Sequence, residues 1–186
     1  YANRSPGPIL DVATGRGVLL RDLALLLVID QPLIGIDLDA KVLRGLQRFL
    51  RQKGIYDPVS LIAMDAKNLA FQSGVIGLAT SWFGFNNIPD SRAAVQECRR
   101  ALMPGGRLAA SALVIEPDSR TYALAAEAGF ADFLTEANIR ASLTDTGLQI
   151  ERLETITDGI WPGNPYDALP LPGDRFSHRL VVAHRE

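Results

Sequence analysis

Pro8-Ile9-Leu10-Asp11-Val12-Ala13-Thr14-Gly15-Arg16-Gly17 is an apolar run that collapses into a turn built on two glycines. The aliphatic residues from Ile9 to Ala13 favour an extended strand. A leucine-rich helical pattern, Val18–Val28, starts directly after Gly17. Strand, glycine turn and helix in that order bring bare backbone and the free N–H groups of a helix start to one place. A second apolar run, 33–36, ends in Asp37, twenty residues beyond Gly17. A carboxylate at the tip of the neighbouring parallel strand accepts both hydroxyls of a ribose. Together the two features predict a site for a nucleoside-type cofactor.

Working outward, apolar β-rich runs alternate with helical patterns, which predicts an α/β fold. Strands are expected at Ile9–Ala13, Leu33–Asp37, Val59–Met64, Val75–Ser81, Arg107–Ile115, Leu148–Thr157 and Phe176–His184. Helices are expected at Val18–Val28, Ala40–Lys53, from Asp90 or Ser91 to Leu102, at Thr121–Ala128 and at Glu136–Thr146. Asp90 or Ser91 and Thr135 serve as caps, Gly147 as a stop, and Pro104-Gly105-Gly106 as a break. The last two strands have no helix between them, so they must run antiparallel. Residues 158–174 are rich in proline and glycine without periodicity; they read as an ordered loop over the sheet end, with disorder as the rival.

At 186 residues the chain reads as one domain. A net charge of −2 argues against electrostatic capture of nucleic acid or of an anionic membrane surface. No segment has the length of a membrane span and no secretory signal opens the chain, so a cytoplasmic protein is expected. The lone Cys98 forms no internal disulfide, and no Cys/His cluster offers a metal site. Oligomeric state stays open, a homodimer included.

Individual residues carry alternatives. Gly15 and Gly17 suit a turn where a Cβ would collide with a ligand; the plain alternative is an ordinary strand-to-helix turn. A pyrophosphate site usually has a third glycine, and here that position is the bulky Leu20, which disfavours a dinucleotide. Asp37 suits a ribose diol, and Asp39 competes for the helix cap. Asp65, at the end of the third strand, suits the exocyclic amine of adenine with the Ala66 N–H on a ring nitrogen, or is a surface turn acid.

Four segments in register carry a resemblance: Asp11-Val12-Ala13-Thr14-Gly15-Arg16-Gly17; Gly35-Ile36-Asp37; Met64-Asp65-Ala66 before Leu69-Ala70-Phe71; and Leu102-Met103-Pro104-Gly105-Gly106-Arg107-Leu108. The chain resembles the class I S-adenosylmethionine-dependent methyltransferases over essentially its whole length. The resemblance implies a doubly wound, mostly parallel seven-stranded sheet of order 3-2-1-4-5-7-6 with strand 7 antiparallel. It implies S-adenosyl-L-methionine as cofactor and a small-molecule methyl acceptor as partner. It sets Ala13, Thr14, Gly15 and Gly17 against the methionine moiety, with Asp11 holding the turn or, through water, the amino group. Asp37 falls at the ribose, Leu38 beside it in the cofactor site, and Asp65 and Ala66 at the adenine. Ser81 and Trp82 open a loop, to Asn87, that forms a floor shared by cofactor and substrate. The chain departs from the family in having Ile76-Gly77 where Phe-Asp often enters strand four, and in showing no N-terminal lid helix before Tyr1. The absence of Asn-Pro-Pro-Tyr or Asp-Pro-Pro-Tyr after strand four makes methylation of nucleic-acid bases or protein glutamine an unfavoured reading.

No catalytic residue is singled out, because transfer from a sulfonium is driven by proximity and needs a base only for an unactivated acceptor. His178 and His184 read as surface or packed histidines. Tyr166, Asp167 and Asp174 belong to the loop, and Trp82, Phe83, Phe85 and Trp161 suit either an apolar or planar acceptor or simple packing. Two rival functions remain: a nicotinamide- or nucleotide-sugar-dependent Rossmann enzyme, and a catalytically inactive regulatory subunit. Leu20, the terminal antiparallel pair and the missing Tyr-x-x-x-Lys pair count against the first.

Overall fold

The computed structural model describes residues 2, 5–26, 31–55, 59–163 and 169–186. Seven strands form one sheet of order β3-β2-β1-β4-β5-β7-β6, as the resemblance implies. They are β1 (Ile9–Val12), β2 (Leu33–Asp37), β3 (Val59–Ala63), β4 (Ile76–Trp82), β5 (Leu102–Ile115), β6 (Leu148–Ile160) and β7 (Arg175–Arg185). The helices are α1 (Val18–Leu26), α2 (Ala40–Gln52), α3 (Ser91–Ala101), α4 (Arg120–Glu127) and α5 (Glu136–Thr144). Strands β1 to β5 pair in parallel, whereas β7 is antiparallel to both β5 and β6. Its amino end therefore lies at the edge where the parallel strands deliver their carboxyl ends.

Alternation along the strands splits the core in two. Leu10, Val12, Ala79, Leu108 and Ala110 pack with Ala94, Val95 and Cys98 of α3 and Ile139 and Leu143 of α5. Ile9, Leu33 and Leu78 pack on the other face with Leu20 and Leu23 of α1 and Leu46 and Leu50 of α2. Leu20, at the position where a dinucleotide site prefers glycine, is fully buried there.

Several boundaries differ from expectation for physical reasons. Ala13 leaves β1 because it turns to a left-handed φ of 52° at the start of the glycine turn. Pro104-Gly105-Gly106 does not precede β5 but lies inside it as an irregularity: Ile76 pairs with Leu102 and Leu78 with Arg107. At the N-terminus of α3 neither expected cap donates a side chain. Asp90 sits in a left-handed conformation without a cap bond, and Asp132 instead accepts from the Arg92 N–H at 2.9 Å. Thr135 caps α5 as expected, accepting from the Asn138 N–H at 3.1 Å. The segment expected as a loop over 158–174 begins as strand, and its return is ordered: Trp161 N–H donates to the Asp174 carbonyl and Gly173 N–H to the Trp161 carbonyl. Tyr166 and Asp167 lie outside the described residues.

Candidate active site

The turn after β1 is held from three sides. Beneath it, the buried Asp11 carboxylate accepts from Thr14 Oγ1 at 2.5 Å and from Thr80 Oγ1 of β4 at 2.8 Å. Burial pushes the Asp11 carboxyl up to about 6, against an ordinary value of 3.8, although both hydroxyls favour the charged form. Asp11 thus braces the turn from below. From behind, the buried Ser81 hydroxyl donates to the Val12 carbonyl at 3.0 Å, so it is committed to the backbone. Across the top, the Gly15 N–H donates to Asp37 Oδ2 at 2.8 Å.

The two turn glycines answer to different demands. Gly15 and Gly17 both have positive φ, 53° and 73°. A Cβ on Gly17 would collide with the Leu46 side chain of α2, at 2.6 Å, so that glycine also serves helix packing. A Cβ on Gly15 would meet nothing closer than the Ala13 carbonyl at 4.0 Å; its side faces open space.

Asp37 closes β2 with one backbone donor on each oxygen: Gly15 on Oδ2, and Asp39 on Oδ1 at 2.9 Å. Each oxygen keeps a lone pair for a diol. The competing role falls to Asp39, whose Oδ1 accepts from the Lys41 and Val42 N–H groups and caps α2. Next to Asp37, Leu38 is 77% exposed, an apolar platform standing in the open. Asp65 is exposed and its Oδ1 accepts from the Lys67 N–H, while Ala66 is buried beneath it. This segment is clamped by α3: Glu97 accepts from the Leu69 N–H, and Arg100 donates to the Leu69 and Phe71 carbonyls. The Arg100 guanidinium holds the Glu97 carboxyl below its ordinary range. These features fit an adenosyl group: a two-oxygen acceptor for a ribose, an apolar platform beside it and a fixed polar edge beyond.

The loop after β4 joins this region to a second one. A Cβ on Gly84 would lie 2.8 Å from Ala13 Cβ and 2.9 Å from the Val12 carbonyl, so only glycine lets the loop approach the turn. Asn86 then ties the loop to β5: its Nδ2 donates to the Leu113 and Phe133 carbonyls and its Oδ1 accepts from the Leu113 N–H, each at 2.9 Å. Phe85, a candidate acceptor contact in the sequence, is fully buried and packs on Phe133 with ring centroids 4.8 Å apart. Beyond the loop opens a cavity of about 750 Å³. Phe83, Phe130, Trp161, Leu169 and Phe176 supply its apolar walls, and His178 borders it. Trp82, 43% exposed, stands edge-on to His178 with centroids 5.5 Å apart. His184 does not border the cavity; its Nδ1 lies 3.1 Å from Glu151 Oε1.

The sequence missed Asn86 as a clamp and His178 as a cavity residue. The signal for His178 was available: an antiparallel last strand carries its amino end to the site edge. Among the described residues no group of three His, Cys, Asp or Glu could hold a metal ion, and no helix is long and apolar enough to cross a membrane.

Residues 9–106 match a family described as a methyltransferase domain. A ubiquinone/menaquinone biosynthesis C-methyltransferase of Pectobacterium carotovorum is 27% identical over 176 residues, covering 82% of this chain and 70% of the relative. Two solved structures share the fold. One is a SAM-dependent methyltransferase from Methanosarcina mazei, with TM-score 0.75, 17% identity and 99% and 94% of the two chains covered. The other is geranyl diphosphate C-methyltransferase from Streptomyces coelicolor, crystallised with Mg2+, geranyl diphosphate and S-adenosyl-L-homocysteine, with TM-score 0.75, 16% identity and 100% and 77% covered. The chain belongs to the methyltransferase domain family, within the class I enzymes that use S-adenosylmethionine.

Proposed function

We propose that this enzyme methylates a small, largely apolar acceptor with a ring or prenyl-like body, seated in the aromatic-walled cavity beyond Gly84. The observation that carries this reading is the close contact of Gly84 with Ala13 and Val12, which sets the cavity's entrance loop directly against the glycine turn. Asp37 takes the ribose hydroxyls, Leu38 lies against the adenine, and Asp65 and the Ala66 N–H read its polar edge. Ala13, Thr14 and Gly15 present backbone to the methionine moiety. Asp11, Gly17 and Ser81 hold that surface in shape, and Trp82 stands between the two sites.

When bound, S-adenosylmethionine supplies a methyl group already activated by its sulfonium, ready for in-line displacement. The chain's own part is to hold the acceptor in line and keep water away, which effective-molarity arguments make the larger share of the acceleration. Aromatic walls suit this work: they bury a planar or branched apolar body without demanding polar partners from it. The names of the relatives, which methylate carbon in quinone biosynthesis and on geranyl diphosphate, agree with such an acceptor.

A crystal structure with S-adenosylhomocysteine tests the reading. The thioether sulfur is expected to face the cavity between Phe83 and His178. A sulfur walled off from that cavity would overturn it.

A further inference from the structure

Register places four side chains on one face at the site edge: Trp82 pairs with Ser111, Leu113 pairs with His178, and Ser111 and Leu113 are two residues apart. The His178 ring stands 4.6 Å from the Phe83 ring, centroid to centroid, and its Nε2 is in hydrogen-bond contact with the buried Ser111 hydroxyl. Among the described residues that border the cavity, His178 is the only titratable side chain. It therefore sits next to the loop that touches the methyl-donor turn, in a cavity that otherwise offers amides, threonines and hydrocarbon.

We propose that His178 accepts the proton that a planar, hydroxyl-bearing acceptor loses as it is methylated, with Ser111 as the positioning residue that orients the ring. The proposal rests on the methyl-transfer reading above. In the tautomer whose Nε2–H donates to the Ser111 hydroxyl, Nδ1 keeps its lone pair for the acceptor. The acceptor oxygen bonds to the methyl carbon; where a ring carbon conjugated to it bonds instead, the displaced ring C–H proton then leaves to solvent as the oxygen takes a proton back. The carbon–sulfur bond breaks with its electron pair going to sulfur. The hydroxyl proton passes to the imidazole and from there to solvent.

Burial lowers the His178 pKa from its ordinary value, which favours the neutral form that can take a proton. The groups around it leave that unopposed. They are Trp82 from β4 and Phe83 after it, Ser111 and Leu113 from β5, Thr157 from β6, and Phe176 on its own strand; none of them titrates near neutrality. The carboxylate attached to the far wall, Asp174, is bonded to the Thr121 hydroxyl.

The test uses 4-nitrophenol, a planar phenol whose ionisation is read by visible absorbance, on the whole chain saturated with S-adenosylhomocysteine. Proton transfer to His178 should raise the phenolate-to-phenol ratio of the bound probe by about tenfold at fixed pH, equivalent to one pH unit. His178→Gln should abolish that rise while S-adenosylhomocysteine affinity stays within about twofold, the loss being confined to the proton-accepting group. Ser111→Ala should shrink the rise and Ser111→Thr restore it. Should the Gln variant lose S-adenosylhomocysteine binding through misfolding, His178→Asn replaces it. An equal rise in both His178 variants, no rise in the wild type, or no binding of the probe overturns the proposal. Failure of the wild type to bind S-adenosylhomocysteine instead strikes the methyl-transfer reading, and the proposal falls with it.

Discussion

The two halves of the site are built from different materials. The half over β1, β2 and β3 is made of backbone and carboxylates: Asp11, Asp37 and Asp39 each accept hydrogen bonds from groups nearby, and two of the three bind main-chain N–H. The half over β5, β6 and β7 is made of side chains that meet only after folding: Phe83, Phe130, Trp161, Phe176 and His178 come from separate places along the chain. For the proposed ribose contact the first half needs exact direction, because hydrogen bonds weaken steeply with angle. The second needs area and exclusion of water, which many apolar combinations supply. A common donor can thus be held by a fixed frame while the acceptor cavity varies.

Breaking the joint between the halves should have the largest effect. Gly84→Val puts a branched side chain where even a Cβ would sit 2.8 Å from Ala13 Cβ and 2.9 Å from the Val12 carbonyl. Such overpacking against backbone is expected to cost about 3 kcal/mol, read by denaturant unfolding, with both ligand sites lost together. A variant as stable as the wild type would mean the loop and turn are not coupled.

The polar half carries a pH signature of its own. Asp11 has its folded pKa raised to about 6 from 3.8. Its favourable contribution is therefore complete below about pH 4 and is lost as pH rises through 6, an effect of roughly 3 kcal/mol by linkage. Asp11→Asn should remove that slope, so that the variant gains on the wild type between pH 4 and 6 in thermal melts. Parallel profiles across that window would show that Asp11 does not titrate there.

Asn86→Ala should cost about 2 kcal/mol, because it strands the Leu113 N–H and the Leu113 and Phe133 carbonyls. Urea unfolding measures it; a neutral change would mean water replaces the amide. The smallest effect sharpens the contrast. Trp161→Ala should leave S-adenosylhomocysteine affinity within about twofold while raising the acceptor KM by about tenfold, as expected for loss of a single aromatic wall. Equal losses on both sides would merge the two halves into one site.

The same contrast explains what the sequence made legible. The glycine turn, Asp37 at its strand end and the terminal antiparallel pair are local or topological: strand and helix alternate, and the last two strands lack a crossover, whereas the full strand order came only with the family resemblance. Asp39 as a cap followed from its place before Ala40. What escaped was non-local. Asn86 acts on Leu113 and Phe133, 27 and 47 residues away, and no spacing rule marks such a partner. The packing of Leu46, from another helix, against Gly17 was likewise invisible in the turn motif. His178 looked like any strand histidine until pairing set it beside Trp82 and Ser111. Asp90 had the right residue type for a cap and the wrong backbone, φ 52°, to act as one.

In the proposed site, Asp37 grips the sugar of an adenosyl cofactor at the carboxyl ends of β1 to β3. Calorimetric titration of the wild type and of Asp37→Ala with S-adenosylhomocysteine tests it most directly. One site per chain is expected, weakened in the variant by about 1–3 kcal/mol, the range for hydrogen bonds to a charged group. Equal affinity in a folded variant, or no binding heat in the wild type, would contradict it.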